Sequence, residues 1–418
     1  MLQYKARITD KELIEKLNSS GAVLIRGSKA CGKTESAKQL AKSVLKVDRD
    51  LQVPELMAAN PGRLLLGETP RLIDEWQLEP KLWDYIRHEI DERQKNAQFI
   101  LTGSANPEET ARMHSGAGRF TIVDMRTMTW QELGFSTGKV SLAALFDAGK
   151  IDIYDDPTDL EFIIERIVTG GFPALMGKSL SQAGYLNRAY VDLLAETDMS
   201  RVSNMKRDPV KVKSLLRSLA RNTATMADIT SLEKDIYGAE NIDISRPTVY
   251  DYMDALNRLM VIEDQPAWSP HMRSSAVLRK APKRHFTDPA LAVAALGAGK
   301  GSLLKDLKFT GFLFESLVTH ELRVYAQAND AKVYHYRDSS ALEVDAIVQK
   351  HSGEWCAFEV KLGAGKIEEA AFALKKFESK LDLQRTKPPR SLNIITGTGI
   401  SYTRKDGINV IALASLGV

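Results

Sequence analysis

The chain has little cysteine, no long apolar run and no dominant charge, and each of these narrows the field. Its 418 residues contain two cysteines, Cys31 and Cys356, far apart in sequence. That pair gives no disulfide framework and fits a reducing compartment. No stretch approaches the ~18 consecutive apolar residues of a membrane-spanning helix. The opening residues, Met1 to Ile8, lack the apolar core of a secretory signal. A cytoplasmic protein with no membrane partner is therefore expected. The 57 basic and 54 acidic residues leave a net charge of +3. No global field draws the chain to nucleic acid, so any such binding needs a local patch. Neither internal repeats nor low-complexity segments occur. What remains is an ordinary globular composition, 44% apolar and 27% charged, long enough for two or three domains.

One stretch carries specific chemistry. Gly27-Ser28-Lys29-Ala30-Cys31-Gly32-Lys33-Thr34 reads G-x-x-x-x-G-K-[ST]. Glycines let backbone amides converge on phosphate oxygens, Lys33 brings a cation to the β- and γ-phosphates, and Thr34 offers a hydroxyl to Mg²⁺. The apolar run Ala22 to Arg26 before it predicts a buried strand. Glu35 to Leu45 after it predicts a helix with Ala37, Leu40, Ala41, Val44 and Leu45 on one face. Strand, glycine-rich loop and helix form the context that this motif requires. Upstream, Thr9 or Asp10 is expected to start a helix that buries Leu13, Ile14 and Leu17.

Further on, Arg71-Leu72-Ile73-Asp74-Glu75 is an apolar strand ending in two carboxylates. Beside a phosphate loop, Asp74 is expected to hold Mg²⁺ through water and Glu75 to polarise the attacking water. Gln98 to Ser104 predicts another buried strand. Thr102 or Ser104 could sense the γ-phosphate or cap the following helix, and the sequence does not separate the two. The glycine-rich basic loop 111–120 offers Arg119 as a cation for the γ-phosphate, in its own chain or a neighbouring subunit.

These residues carry a resemblance. Leu72 to Gln77, Leu101 to Ser104 and Gly118-Arg119 resemble the prokaryotic AAA-type ATPases that have a C-terminal domain of unknown function. The pattern continues in Met125 to Leu133 and in Gly170-Gly171-Phe172-Pro173, so the likeness covers nearly the whole chain. It implies an AAA-type parallel sheet with the phosphate-loop strand near its centre, ATP rather than GTP as ligand, and Mg²⁺ as cofactor.

The middle of the chain is helical. Ser181 to Met199 is expected to pack through Tyr185, Ala189, Leu193 and Leu194 and could close over the nucleotide as a lid. From Asp208 to Asp264, three helices (210–220, 226–232, 245–256) and a first strand (259–263) read as a winged helix, with Arg246 and Thr248 at the tip of the third helix. Asp251 and Asp254 on that helix oppose phosphate binding. The basic stretch 273–284, with Arg273, Arg279, Lys280, Lys283 and Arg284, favours it.

The last segment predicts a long helix around Glu315 and strands at 332–337, 342–348 and 355–361. Asp345, then Glu359-x-Lys361, with Glu315 on the helix, resembles the restriction-endonuclease-like core. Period two puts Glu359 and Lys361 on one face of their strand. Two carboxylates can hold a second Mg²⁺ while the lysine positions water. The expected fold class is thus α/β in four parts: an ATPase-type domain over 1–140, a helical lid or linker over 141–206, a winged helix over 207–270, and a nuclease-like domain over 271–418. The leading expectation is ATP hydrolysis coupled to the later domains, on or near nucleic acid. The alternatives are an ATP-gated nuclease and a regulatory module in which ATP is a structural ligand.

Overall fold

The computed structural model describes residues 4–104, 115–147, 149–153, 158–202, 205–269, 281–382 and 386–418. Its first part is a five-stranded sheet of β1 (Ala22–Arg26), β2 (Ser43–Lys46), β3 (Arg71–Asp74), β4 (Phe99–Gly103) and β5 (Phe120–Asp124). The strands run parallel in the order β2-β3-β4-β1-β5. The phosphate-loop strand β1 is thus one place from the edge, and β4 takes the centre. Apolar side chains cover both faces, as a parallel sheet demands. Val23, Ile25, Leu72 and Ile100 pack with Leu13 and Leu17 on one face. Leu24, Ile73, Phe99 and Leu101 pack with Trp76, Trp83 and Ile86 on the other.

Two local expectations change. The helix after the loop is only Lys33–Lys38, because the chain must turn early enough to supply edge strand β2. Val44 is consequently exposed at that edge rather than on a helix face. In helix Thr9–Ser19, Leu13 and Leu17 are buried as expected, but Ile14 faces solvent.

Beyond β5 the chain commits early to the far end of the sequence. β6 (Val140–Ser141) pairs with the C-terminal residues Leu416–Gly417, and β7 (Asp152–Ile153) pairs with residues 401–402. The segment expected to be a separate lid or linker from 141 therefore begins as an edge of the last domain. Helices Leu160–Thr169, Leu180–Leu193, Pro209–Arg221, Ile229–Glu240 and Arg246–Arg258 follow. In Leu180–Leu193 the buried residues are Ala183, Asn187 and Val191, continued by Leu194. Tyr185, Ala189 and Leu193 are exposed, so the helix is rotated from the expected face. Ser245 caps Arg246–Arg258 through the Thr248 amide, with Pro247 in its first turn. An antiparallel ribbon of β8 (Ile262–Gln265) and β9 (Lys283–Phe286) comes next. This ribbon straddles the boundary expected at residue 270.

The last part is a mixed seven-stranded sheet. It contains β10 (Ala331–Arg337), β11 (Glu343–Lys350), β12 (Trp355–Lys361), β13 (Leu392–Thr396), β14 (Ser401–Thr403) and β15 (Asn409–Ala412), in the order β10-β11-β12-β13-β15-β14-β7; β16 (Leu416–Gly417) is the partner of β6. Helix Leu307–Ala328 lies against β10, β11 and β12. Helix Ile367–Ser379 packs Ala370, Leu374 and Phe377 against Trp268 and Trp355 on the opposite face. A single apolar cluster joins this sheet to the middle helices. No described helix is long and apolar enough to cross a membrane.

Candidate functional site

The loop Gly27 to Thr34 leaves the C-terminal end of β1, and its shape depends on close backbone approach. A side-chain carbon on Gly27 would lie 2.0 Å from the Met125 carbonyl oxygen. Ala30 and Gly32 hold positive φ, 64° and 110°, which turns successive amides toward one concavity. Lys33 Nζ donates to the carbonyls of Gly27 (2.9 Å) and Ser28 (2.8 Å). Thr34 Oγ1 donates to Asp74 Oδ1 at 2.8 Å, joining the first loop to the end of β3. Thr102 Oγ1 donates to the same oxygen at 2.6 Å, because β4 lies between β1 and β3. Glu75, at φ 58°, accepts a hydrogen bond from Gln77. Glu75 and Ser104 line one cleft of about 380 Å³ with Lys29, Ala30, Gly32, Lys33 and Thr34. Asp74 and Thr102 are both buried and lie off that lining, so of the two hydroxyls only Ser104 faces the cleft.

The rest of the cleft comes from residues that the motif does not announce. Tyr4, Lys5 and Arg7 form one wall, and Met128, Pro173, Ala174 and Met176 another. Arg7 is largely buried, at the edge of the cleft and against the loop. Its guanidinium donates to the carbonyls of Cys31 (2.9 Å) and Arg126 (2.8 Å) and to Glu132 Oε1 (3.0 Å). Glu132 also accepts the amides of Ile8 and Thr129, each at 2.7 Å. The visible sequence signal was Thr129-x-x-Glu132, a capping box at the start of a short helix.

Gly170-Gly171-Phe172-Pro173 has a mechanical place here. The amide of Met128 donates to the Gly171 carbonyl at 2.7 Å, and the Gly171 amide donates to Asp288 Oδ2 at 2.8 Å. A Cβ on Gly171 would lie 2.2 Å from the Met128 oxygen, so only glycine permits the contact. Close by, the Trp130 amide donates to buried Glu321, and Thr127 meets His320 at 3.0 Å. The loop following β5 is thereby clamped to the middle and last parts. Tyr190, midway along the helical stretch 180–201, and Asp198, near its end, touch Lys29 of the phosphate loop. The stretch therefore packs within the middle part and also touches the phosphate loop.

Other expected site residues lie elsewhere. Arg119 sits where β5 begins, its carbonyl accepting the Ala22 amide at 3.1 Å. The phosphate loop departs from the opposite end of β1, roughly 15 Å away for a five-residue strand. Arg119 instead pairs with Asp91 at 2.8 Å, and it is out of reach of a phosphate in its own chain. In the basic stretch, Arg273, Arg279 and Lys280 lie outside the described residues. Lys283 is buried, and Arg284 donates to the Ala227 carbonyl and faces Asp264. Neither forms the free basic surface expected of them. Arg246 is exposed at its helix tip but pairs with Glu233 at 2.9 Å. Asp251 is partnered by Arg207 at 2.8 Å.

In the last part, Glu315, Asp345, Glu359 and Lys361 do converge. They line one open cleft of about 820 Å³. Lys361 Nζ lies 2.7 Å from Glu359 and 3.6 Å from Asp345. Asp345 Oδ2 also accepts the Val360 amide at 2.9 Å. Two residues join that were not expected there, Glu343 and Lys283. Burial, and then the Asp345 carboxylate, push Glu315 and Glu359 up to about 8. For Asp345, burial acts in the same sense, but Lys283 and Lys361 outweigh it and hold the carboxyl below its ordinary range. Among the described residues, no three His, Cys, Asp or Glu side chains are arranged to hold a metal ion.

Comparisons with known proteins match three segments of the chain. Residues 19–134 match the AAA domain, 160–302 match a domain of unknown function (DUF8612), and 310–416 match another (DUF4143). Uncharacterized proteins of Mycobacterium bovis and Mycobacterium tuberculosis are each 23% identical over 351 residues, covering 82% of this chain and 71% of theirs. Among solved structures, a Walker-type ATPase of Pyrococcus abyssi aligns with TM-score 0.43 and 13% identity, covering 71% of this chain and 99% of that one. The Aeropyrum pernix ORC1 protein, solved in complex with DNA, aligns with TM-score 0.29 and 14% identity, covering 73% and 95%. Likenesses this loose carry no functional weight.

Proposed function

We propose that the chain binds ATP with Mg²⁺ in the cleft above β1 and β3, hydrolyses it, and uses the nucleotide state to act on its middle and C-terminal parts. The observation that carries this reading is the bond between Thr34 and Asp74, with Glu75 and Ser104 on the same cleft. Two oxygen ligands side by side suit a hard cation such as Mg²⁺, which when bound would neutralise phosphate charge. Lys33 then supplies the cation for the β- and γ-phosphates, and Glu75 is the group that polarises water. The Gly171 and Asp288 contacts support the coupling, since they link a cleft wall to the middle domain.

Lys33→Ala should abolish nucleotide binding. Glu75→Gln should keep binding and stall turnover, because an amide cannot take the proton. Hydrolysis by Glu75→Gln at the wild-type rate would remove Glu75 from the site. If the wild-type chain binds ATP but shows no turnover with or without DNA, ATP is a structural ligand.

A second reading concerns the last domain. The convergence of Asp345, Glu359, Lys361 and Glu315 on one cleft supports a nuclease-like architecture there. A DNA partner has narrower support: the order of three helices and a ribbon, and the exposed tip at Arg246.

A further inference from the structure

The nuclease-like cleft holds a residue that does not come from its own sheet. Lys283 lies on β9, which pairs with β8 in the two-stranded ribbon. Its side chain is 2% exposed. Nζ stands 2.6 Å from Glu315, 2.6 Å from Glu343 and 3.5 Å from Asp345. These carboxylates come from the long helix and from alternate positions of β11, so period two brings Glu343 and Asp345 to one face. An ammonium has three donors and one positive charge, and here it is directed at three carboxylates. On the other side of Asp345, Lys361 holds Glu359. Four carboxylates thus share two ammonium groups. Without Lys283, Glu315, Glu343 and Asp345 would face one another as like charges, with Glu315 and Asp345 largely buried, a repulsion that a cation or proton uptake must relieve.

We propose that the ammonium of Lys283 fills the divalent-cation position of the C-terminal cleft, so that this cleft takes no Mg²⁺ or Mn²⁺ in the native chain. The proposal rests on the nuclease-like reading and adds the residue that replaces its metal. It makes the middle part, through one lysine, the source of the charge that balances the last domain.

The test is Mn²⁺ binding to the full chain without nucleotide, followed by electron paramagnetic resonance of the free ion. Wild type and Asp345→Asn should bind Mn²⁺ identically. Lys283→Met should gain about one equivalent, and Lys283→Met/Asp345→Asn should lose it again. Lys283→Arg, which keeps the charge, should gain none. If Lys283→Met does not fold, Mn²⁺ supplied during refolding should recover it, because the ion replaces the missing charge; failure to recover refutes the proposal. An Asp345-dependent ion in the wild type would overturn the role of Lys283 while leaving a nuclease-like metal site. A folded Lys283→Met chain that binds no additional Mn²⁺ would overturn both.

Discussion

Arg7→Met tests whether Arg7 holds the phosphate loop in shape. The substitution keeps most of the apolar stem and removes three hydrogen-bonded contacts at once: to the Cys31 carbonyl, the Arg126 carbonyl and Glu132. Both partners of the ion pair are almost fully enclosed, with side-chain exposures of 4% and 2%. Removing one partner of such a pair costs about 3–5 kcal/mol, since it leaves a buried charge uncompensated. Glu132 would retain the amides of Ile8 and Thr129, each at 2.7 Å. The cost should therefore sit at the lower end, about 3 kcal/mol. Part of it falls on the loop, because Cys31 loses the donor that fixes its carbonyl. If that part is about half, ATP affinity drops about tenfold, at 1.4 kcal/mol per decade. Urea unfolding followed by the buried tryptophans Trp76, Trp83 and Trp130 reads the stability, and titration with a fluorescent ATP analogue reads the loop. Glu132→Gln alone should cost less. The double variant should be less damaging than the sum by at least about 0.5 kcal/mol. Additive effects, or an unchanged ATP affinity in Arg7→Met, would refute the idea that this pair shapes the loop.

Three further outcomes follow from particular contacts. Gly171→Val should strongly reduce soluble yield or lower the melting temperature by several degrees, because its Cβ would lie 2.2 Å from the Met128 oxygen; a wild-type melting temperature would contradict the close contact. Cys356 is buried and its thiol is pushed up to about 11, chiefly by burial, so a disulfide reagent at pH 8 should label it only after denaturation; rapid labelling of the native chain at this residue would count against the packing. If the middle domain binds DNA, affinity should fall by about one decade per decade of salt for each phosphate contacted, and Arg246→Glu should weaken it. Glutamate at Lys283, by contrast, should damage the fold rather than DNA binding, since that lysine is enclosed.

The relation of sequence to structure follows from the range over which each signal acts. The phosphate loop, its strand and the Asp74-Glu75 strand end were legible because a short motif must carry its own geometry. Gly27 and Gly32 are needed for backbone approach and positive φ, and no distant residue can substitute for them. Strands β10, β11 and β12, and the shared face of Glu359 and Lys361, were legible for a related reason, since two-residue periodicity is local; the grouping of Asp345 with them was implied by resemblance alone. What surrounds those motifs was not legible. Which face of helix Leu180–Leu193 is buried depends on what packs against it, and three of its four expected contact residues face solvent. Arg119 belongs to a glycine-rich loop that looks suited to phosphate, yet parallel pairing with β1 puts it at the wrong end of the sheet. Arg7 and Glu132 stand 125 residues apart in sequence, and only the fold makes them neighbours beside the loop. Lys283 shows the same limit most sharply. In sequence it is one cation in a basic run, whereas in the structure it is enclosed by carboxylates from a helix and a strand that follow it. Charge along a chain says that a partner is needed, and only tertiary packing, through burial and distance, decides which partner it is.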